Sequence, residues 1–409
     1  MGHYLKNLPK LAANVIDESN PSPQRLYGKD IDCPAMWREK LREIIPSFLF
    51  YLEPSADLMS MLPPGKRAEN IMCYFGHEGT YTPAHKEMCG TLGHNLMVHT
   101  SKGYAPGSSI WWMTDTKDRK LVANFWLELG HDIEIETHFT GFSDWMDAPF
   151  PVYIHEQKEG DFILVPPMAP HQVWNRGECT LKAAWNRVTV ESLEFALDES
   201  LAKSRMVCRD EQYKSKAIVH ETLRKYACIL NGESLDPNLR RSVRMEGDFG
   251  RLFKLFDRMM LSECFAPNKC DPAIEILYST GDDSISCSFC RSDIWNRFLT
   301  CKTCVIKQEG EVDDMYDICL DCYARGRSCW CVSGMHWVEH HRWSSLISEH
   351  EKFRRILLQI RGAGDYDGLH PLHEGLQKLG RKSLAWVCQE QLEVRPWIDV
   401  EKNGLEDEV

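Results

Sequence analysis

A histidine and a carboxylate stand two positions apart in the stretch TPAHKEMCGTLGHN, which covers residues 82–95. In an extended chain the side chains at i and i+2 point to the same face, so His85 and Glu87 can aim into one cavity. Two ligands hold a metal ion poorly, and His171 in GDFILVPPMAPHQVWN is the candidate third ligand. Two imidazoles and one carboxylate form the facial triad of non-haem Fe(II) oxygenases, which leaves coordination positions open.

Spacing alone leaves other interpretations of these residues open. His-x-Glu is short and occurs in many proteins, and the chain has 16 histidines, so a coincidental grouping stays an alternative. His94 and His99 compete for a place in the site. We interpret both as structural or surface residues.

A second group of chemically active residues is rich in cysteine. Three C-x2-C pairs follow one another, and their members are Cys287, Cys290, Cys301, Cys304, Cys319 and Cys322. Each pair presents two thiolates to one zinc ion. Six thiolates make one and a half tetrahedral sites, and further ligands are available at Cys329, Cys331, His336, His340 and His341.

Composition and charge limit the classes of partner. The N-terminal stretch lacks the apolar core of a secretory signal, so we expect a reducing compartment, where clustered cysteines bind metal more often than they form disulfides. The formal net charge is −12, which argues against non-specific binding to DNA phosphates and is compatible with a basic protein tail. No apolar run reaches the length of a membrane span.

The elements that must position these residues change in character along the chain. Many short segments rich in β-branched and aromatic residues, among them NIMCYFG, SSIWWMT, DIEIETHF and HQVWN, predict a barrel or sandwich. DRKLVANFWLELG is the one clear helix between them, and the pattern becomes helical beyond the last strand. Residues 1–35 contain little periodic signal, and we interpret them as an extended or partly ordered arm. We predict an N-terminal arm with a helix (1–69), a strand-rich domain (70–190), a helical linker (191–280), a zinc-binding module (281–343) and a C-terminal helical segment (344–409).

The strand-rich segments resemble a known family. GTYTPAHKE, GHN, GSSIWW, PVYIHEQKEGDFILVPPMAPHQVWN and KAAWN are similar to the JmjC domain, over roughly residues 35–195. The resemblance implies an α+β protein with a double-stranded β-helix, a jelly-roll or cupin-like barrel. It looks closest to the His-x-Glu members that act as histone lysine demethylases, and it implies Fe(II) held by His85, Glu87 and His171.

The same resemblance implies 2-oxoglutarate as cosubstrate. The family commonly uses a threonine three residues before the first ligand and an asparagine ten residues after it, and Thr82 and Asn95 occupy those positions. A hydroxyl and an amide can bind carboxylate oxygens without adding charge.

One position departs from the family pattern. Many members carry a lysine two residues before the tryptophan of the GSSIWW strand, where this chain has Ser109. A buried carboxylate without a cation is costly. We take Lys182 as the candidate replacement, and the other candidates are His77, Lys102 and Arg187. The favoured alternative for Lys182 and Arg187 is a role at the surface or in binding a partner.

The cysteine-rich segment resembles a ZZ-type zinc finger through YDICLDCYARG and MHWVEH. The cross-braced order of that family would place Cys287, Cys290, Cys319 and Cys322 at one ion. It would place Cys301, Cys304, His336 and His340 at the second ion, where Cys329 and Cys331 compete with the two histidines.

The resemblance therefore implies an enzyme that depends on Fe(II) and 2-oxoglutarate, with Zn(II) in a separate module. We expect a nuclear chromatin regulator that removes methyl groups from a histone tail by oxidation and releases formaldehyde. We expect chromatin-associated protein partners, and neither direct DNA binding nor a membrane. An inactive JmjC adaptor and a JmjC protein hydroxylase are the alternatives.

Overall fold

The chain divides into two compact units, Met1–Lys203 and Ser204–Val409, which are called the first and the second unit below. The structure is a computed structural model. The residues that it describes are 2–103, 106–233, 242–266, 274–279, 285–306, 314–332, 334–361 and 369–395.

The first unit is built mainly from short antiparallel strands. They are β1 (Gly28–Asp32), β2 (Ile71–Gly76), β3 (Tyr81–His85), β4 (Leu92–Thr100), β5 (Ser108–Met113), β6 (Tyr153–Gln157), β7 (Phe162–Val165), β8 (His171–Arg176) and β9 (Thr180–Arg187). The α-helices are α1 (Gly2–Ile16), α2 (Ala35–Ile44), α3 (Arg119–Glu128), α4 (Phe142–Met146), α5 (Val190–Phe195) and α6 (Leu201–Met206). A π-helical turn, Ala196–Ser200, joins α5 to α6.

Two sheets form the core of the first unit. One has the strand order β1-β2-β9-β4-β7 and the other has the order β3-β8-β5-β6. Side chains of both sheets meet between them: Trp111 of β5, Val165 of β7 and Val173 of β8 belong to one buried cluster. This antiparallel jelly-roll core confirms the α+β class and the double-stranded β-helix that the sequence predicts.

Two local predictions for the first unit are wrong. DIEIETHF forms turns and irregular chain rather than a strand. Its two isoleucines do not share one face, because Ile133 is buried in a cluster with residues of α3 and α4 while Ile135 stays exposed. The N-terminal stretch, interpreted as an arm with little periodic signal, contains α1 and contributes β1 to the larger sheet.

The second unit combines helices with one small sheet. Its helices are α7 (Ser215–Leu230), α8 (Val243–Ser262), α9 (Leu320–Ala324), α10 (Trp343–Arg361), α11 (Leu372–Lys378) and α12 (Leu384–Val394). Its strands are β10 (Ile276–Tyr278), β11 (Phe298–Ile306), β12 (Asp314–Cys319) and β13 (His336–Glu339), in the order β10-β13-β11-β12. Most cysteines of the three C-x2-C pairs are buried in a hydrophobic core that includes residues of this sheet. Among the described residues, no helix has the length and hydropathy required to cross a membrane.

The predicted boundaries at residues 70, 191, 281 and 344 stay predictions. The division into two units falls within α6, so the helical continuation of the strand-rich domain up to Lys203 belongs to the first unit.

Candidate metal centres

The structure brings the three predicted iron ligands together. One ligand atom from each of His85, Glu87 and His171 lies within 4.8 Å of the other two. His85 and His171 are opposite one another in the pairing of β3 with β8, and their ring centroids are 4.1 Å apart. Glu87 follows the end of β3, and its Oε1 lies 3.5 Å from Nε2 of His171.

Backbone carbonyls orient both imidazoles. Nδ1 of His85 donates to the carbonyl of Pro83 at 2.8 Å, and Nδ1 of His171 donates to the carbonyl of Ala169 at 3.0 Å. A proton on Nδ1 leaves Nε2 as the unprotonated nitrogen of each ring, which is the form that binds a metal. The ring of Trp111 stacks on His171 at 5.7 Å and shields one side of the site.

The carboxylate of Glu87 is held from two sides. Its Oε2 accepts a hydrogen bond from Nδ2 of Asn186 at 2.7 Å. A methyl group at Gly93 would approach Oε1 to 2.6 Å, so β4 passes the ligand at a distance that only glycine permits. Two available imidazole nitrogens and one oriented carboxylate fit a divalent iron ion, with coordination positions left over for other ligands.

Lys182 lies in the interior between the two sheets. It is 2% exposed, and its Nζ donates to Oδ1 of Asn175 at 2.8 Å. Burial lowers the pKa of its ammonium to about 7, and the described residues provide no carboxylate as an ion-pair partner. The hydroxyl of Ser109 donates to the same oxygen of Asn175, also at 2.8 Å. Lys182 on β9 therefore places its charge beside Ser109, the position at which many JmjC proteins carry a lysine.

Two residues of this interior that the sequence analysis did not single out are Asn175 and Tyr27. Asn175 is fully buried, and its Nδ2 donates to Thr80 at 3.0 Å. The side chains of Asn175 and Thr82 hydrogen-bond to the hydroxyl of Tyr27, whose pKa burial raises to about 12. Tyr27 lies in the N-terminal stretch that shows no periodic pattern, so no sequence signal connects it with the site.

Asn95 also faces this interior from β4. Its Oδ1 accepts from Nε2 of Gln157 at 3.2 Å, and Oε1 of Gln157 accepts from the indole of Trp111 at 2.9 Å. The predicted cosubstrate residues Thr82, Asn95 and Lys182 thus lie on strands β3, β4 and β9 of both sheets.

The remaining cationic and histidine candidates have other contacts. Arg187 donates to Nε2 of His94 at 3.0 Å and to the carbonyl of Ala56 at 2.9 Å. Burial, and after it the charge of Arg187, lowers the pKa of His94 to about 3. His99 and Lys102 lie at the surface beside Glu159. Nε2 of His77 accepts a hydrogen bond from the backbone of Leu26.

The first cysteine cluster has the predicted members. Its four thiols, which lie within 4.8 Å of one another, are those of Cys287, Cys290, Cys319 and Cys322. The sulfurs of Cys290 and Cys319 are 3.8 Å apart, and the backbone amide of Cys319 donates to the sulfur of Cys287. All the cysteines of the cluster are free thiols, and four such sulfurs can hold a zinc ion in tetrahedral geometry.

The second cluster corrects the predicted ligand set. The structure groups Cys329 and Cys331 with Cys301 and Cys304, and it does not bring His336 and His340 to them. The sulfur of Cys331 lies 3.7 Å from that of Cys301 and 3.2 Å from that of Cys304.

The register of β13 explains why the two histidines are absent from the second cluster. His336 pairs with Thr300 on β11, and its side chain is exposed. His340 stacks on Phe298 with ring centroids 5.2 Å apart. The loop that follows α9 supplies the two missing thiols instead.

Comparison with known proteins agrees with this geometry. Residues 72–186 match the family described as "JmjC domain, hydroxylase". The chain therefore contains a JmjC domain, as its sequence motifs predict.

A longer similarity extends beyond that domain. The chain is 34% identical over 330 residues to C-module-binding factor A of Dictyostelium discoideum, and the match covers 75% of this chain and 31% of that protein. The chain thus spans about a third of the length of this relative.

Proposed function

We propose that the first unit is an Fe(II)- and 2-oxoglutarate-dependent dioxygenase that removes methyl groups from histone lysines. One observation carries the proposal: three convergent metal ligands lie in the same barrel interior as a buried ammonium that has no carboxylate partner among the described residues. An open metal site and a buried cation are what a dicarboxylate cosubstrate of this family requires. The JmjC domain supports this class of oxygenase.

Each residue of the site has a defined role in the proposed reaction. His85, Glu87 and His171 would hold Fe(II), which supplies the reactivity toward oxygen when it is bound. Lys182 would bind the carboxylate of 2-oxoglutarate that lies away from the metal, assisted by the hydroxyls of Thr82 and Tyr27. Because the ammonium is buried, the ion pair with the cosubstrate would be screened little by water.

The overall reaction balances as follows. Methyl-lysine, oxygen and 2-oxoglutarate give lysine, formaldehyde, succinate and carbon dioxide. The protein contributes geometry and the exclusion of water, and Trp111 beside His171 is a buried apolar wall of the site.

The chromatin substrate is supported by charge. A net charge of −12 is complementary to a lysine-rich histone tail and unfavourable for binding DNA phosphates. The similarity to C-module-binding factor A supports a nuclear role, and chromatin-associated partners are part of the proposal. The two zinc clusters, each closed by four thiols, are proposed to be structural.

Two other functions have specific support. The family description includes the word hydroxylase, which favours a protein hydroxylase that uses the same metal site. Ser109 in place of the usual lysine favours an inactive adaptor, although Lys182 supplies a cation beside it.

One assay separates these functions. The protein is incubated with Fe(II), 2-oxoglutarate and a panel of methylated histone peptides, and both succinate and peptide mass are measured. Demethylation predicts succinate with mass losses of about 14 Da per methyl group, whereas hydroxylation predicts a gain of about 16 Da.

The variant His171→Ala is the control, because it removes one metal ligand and leaves both cysteine clusters unchanged. Succinate formation that persists in this variant would contradict the triad. The absence of succinate from the wild-type protein, with peptide binding retained, would support the adaptor.

A further inference from the structure

We infer that Asn186 is a positioning residue that makes Glu87 a ligand through a single oxygen. The inference rests on the proposed iron-dependent function. Nδ2 of Asn186 donates to Oε2 of Glu87 at 2.7 Å, while Oε1 is the oxygen that lies toward Nε2 of His171. One carboxylate oxygen is thus engaged by protein and the other faces the metal position.

The amide of Asn186 also ties Glu87 to its own turn. The same Nδ2 donates to Oγ1 of Thr91 at 2.7 Å, and this hydroxyl donates to the carbonyl of Met88 at 2.8 Å. Both hydrogens of the amide nitrogen are therefore used, one on the carboxylate and one on the turn that follows it. Rotation of the Glu87 carboxylate would break the bond to Asn186.

Asn186 is itself fixed in place by a neighbouring residue. Its backbone amide donates to Oδ1 of Asn70 at 3.0 Å, and Nδ2 of Asn70 donates back to the carbonyl of Asn186. This bidentate contact lies at the end of β9, opposite Gly93 of β4. The donor that holds Glu87 is thus anchored to the larger sheet rather than to a mobile surface loop.

The denticity of Glu87 decides how many coordination positions remain. A carboxylate can bind a cation through one oxygen or through two, and a second oxygen would occupy a position that the cosubstrate and oxygen require. A hydrogen bond to Oε2 keeps that oxygen away from the metal and also sets the direction of Oε1. We therefore assign Asn186 the role of keeping the site open, in addition to any contribution to stability.

Metal binding without turnover tests the inference. The full chain, with its cysteine clusters first saturated with zinc, is titrated with Co(II) in place of Fe(II). The affinity and the visible absorption spectrum of the bound ion are recorded for the wild type and for Asn186→Leu. Leucine has a similar volume and no donor. We expect Co(II) affinity to fall about 10- to 100-fold, because outer-shell partners of metal ligands have effects of this size. We also expect an altered spectrum, because the second carboxylate oxygen becomes available to the ion.

Thr91→Val is the matched control, since it removes one acceptor of the amide and leaves the bond to Glu87. It should keep a Co(II) spectrum like that of the wild type. If Asn186→Leu does not fold, Asn186→Ser tests the same point, because the serine hydroxyl is too short to reach Oε2.

The outcomes separate the inference from the proposed function. A folded Asn186 variant with wild-type affinity and spectrum overturns the positioning role alone. If His171→Ala binds Co(II) as tightly as the wild type does, the metal site is overturned, and with it the proposed oxygenase. Loss of thermal stability with unchanged Co(II) binding would show that Asn186 only supports the fold, which also overturns the inference.

Discussion

Ser109 and Lys182 hydrogen-bond to the same oxygen of Asn175, although they come from different sheets. The side chain that determines the charge of this interior is therefore delivered from β9 instead of β5. Both side chains reach the same acceptor in this interior, so a lysine at either position would bring an ammonium into it. At the scale of single residues, the position of the charge matters more than the strand that carries it.

Moving the lysine between these two strands tests this equivalence. We expect Lys182→Met to weaken binding of 2-oxoglutarate about 10- to 100-fold, because a hydrogen bond to a charged group contributes about 1.5–3 kcal/mol. The double variant Ser109→Lys with Lys182→Met should recover part of that affinity. Calorimetric titration with Mn(II) in the metal site measures the dissociation constants. A double variant no better than Lys182→Met would exclude the equivalence.

The buried ammonium should also make stability depend on pH. Burial lowers the pKa of Lys182 from 10.5 to about 7. Between these values the unfolded chain holds the proton and the folded chain has lost it, so this group makes the free energy of unfolding rise as pH rises from about 7 toward 10.5. Lys182→Met removes that contribution, and urea denaturation at pH 7 and pH 9 should show a smaller rise for the variant. Equal slopes in the two proteins would refute the low pKa of Lys182.

At the scale of elements, the close passage of β4 beside Glu87 restricts the carboxylate of this candidate iron ligand. A methyl group at Gly93 would lie 2.6 Å from Oε1 and 2.8 Å from the carboxyl carbon of Glu87. A real Cβ atom essentially never makes a non-bonded contact this short, so the ligand or the strand must move. The carboxylate is the more mobile of the two, because hydrogen bonds in the sheet hold β4 on both sides.

Gly93→Ala should therefore lower metal affinity more than it lowers stability. We expect Co(II) binding at the triad to weaken at least about 10-fold, as for a lost outer-shell contact. Gly65→Ala is the matched control, since nothing lies within 4 Å of a methyl group there. Retention of wild-type Co(II) affinity in Gly93→Ala would show that β4 adjusts instead.

The loop after α9 has the corresponding role in the second unit. It supplies Cys329 and Cys331 to the second cluster, while β13 carries His336 with its side chain exposed. The spacing of the candidate ligands in the sequence cannot show whether this loop or β13 supplies them to the second cluster. The antiparallel register of β13 with β11 does so, because it pairs His336 with Thr300.

Zinc content distinguishes the two ligand sets. We expect Cys329→Ser with Cys331→Ser to reduce bound zinc from two ions to one, because two thiolates alone do not close a tetrahedral site. His336→Ala should leave two ions. Elemental analysis of purified protein gives both values, and a loss of zinc in His336→Ala would restore the histidine ligands.

At the scale of the whole molecule, the two kinds of metal site belong to different compact units. Each unit has a hydrophobic core of its own: Trp185 and Phe75 belong to one in the first unit, and Phe298 and Trp337 belong to one in the second. Most thiols of both cysteine clusters are part of the core of the second unit, and the others pack against it. Zinc binding should therefore contribute to the folding of that unit directly.

Removal of zinc should loosen the second unit selectively. After treatment with a chelator and dialysis, we expect amide hydrogen exchange to accelerate in β11, β12 and β13, because their packing depends on the cysteine clusters. Protection of β4 and β9 should change little, since the core of the first unit contains no cluster thiol. Mass spectrometry of peptides measures both regions, and equal acceleration in the two units would refute independent cores.

Local spacing indicated the candidate ligands His85 and Glu87 and the three C-x2-C pairs, and the resemblance to the JmjC domain then implied the function. His85 and Glu87 two positions apart and the three C-x2-C pairs are short-range patterns. Short segments rich in β-branched and aromatic residues predict most strands of the barrel. These features depend on backbone geometry within a few residues, so a single sequence contains them. The strand prediction at DIEIETHF fails for the same reason. The alternating pattern is local, whereas the burial of Ile133 depends on residues of α3, and the chain there is irregular.

Long-range pairing decided the rest of the site. Asn186 hydrogen-bonds to Glu87 although the two residues are 99 positions apart in the chain. Lys182 and Ser109 share the acceptor Asn175 only because strands of two sheets face each other. Cys329 and Cys331 replace the expected histidines for a similar reason, since the register of a strand determines which side chains reach the ion. Strand order and register arise from the packing of the whole unit, and no local spacing in the sequence specifies them.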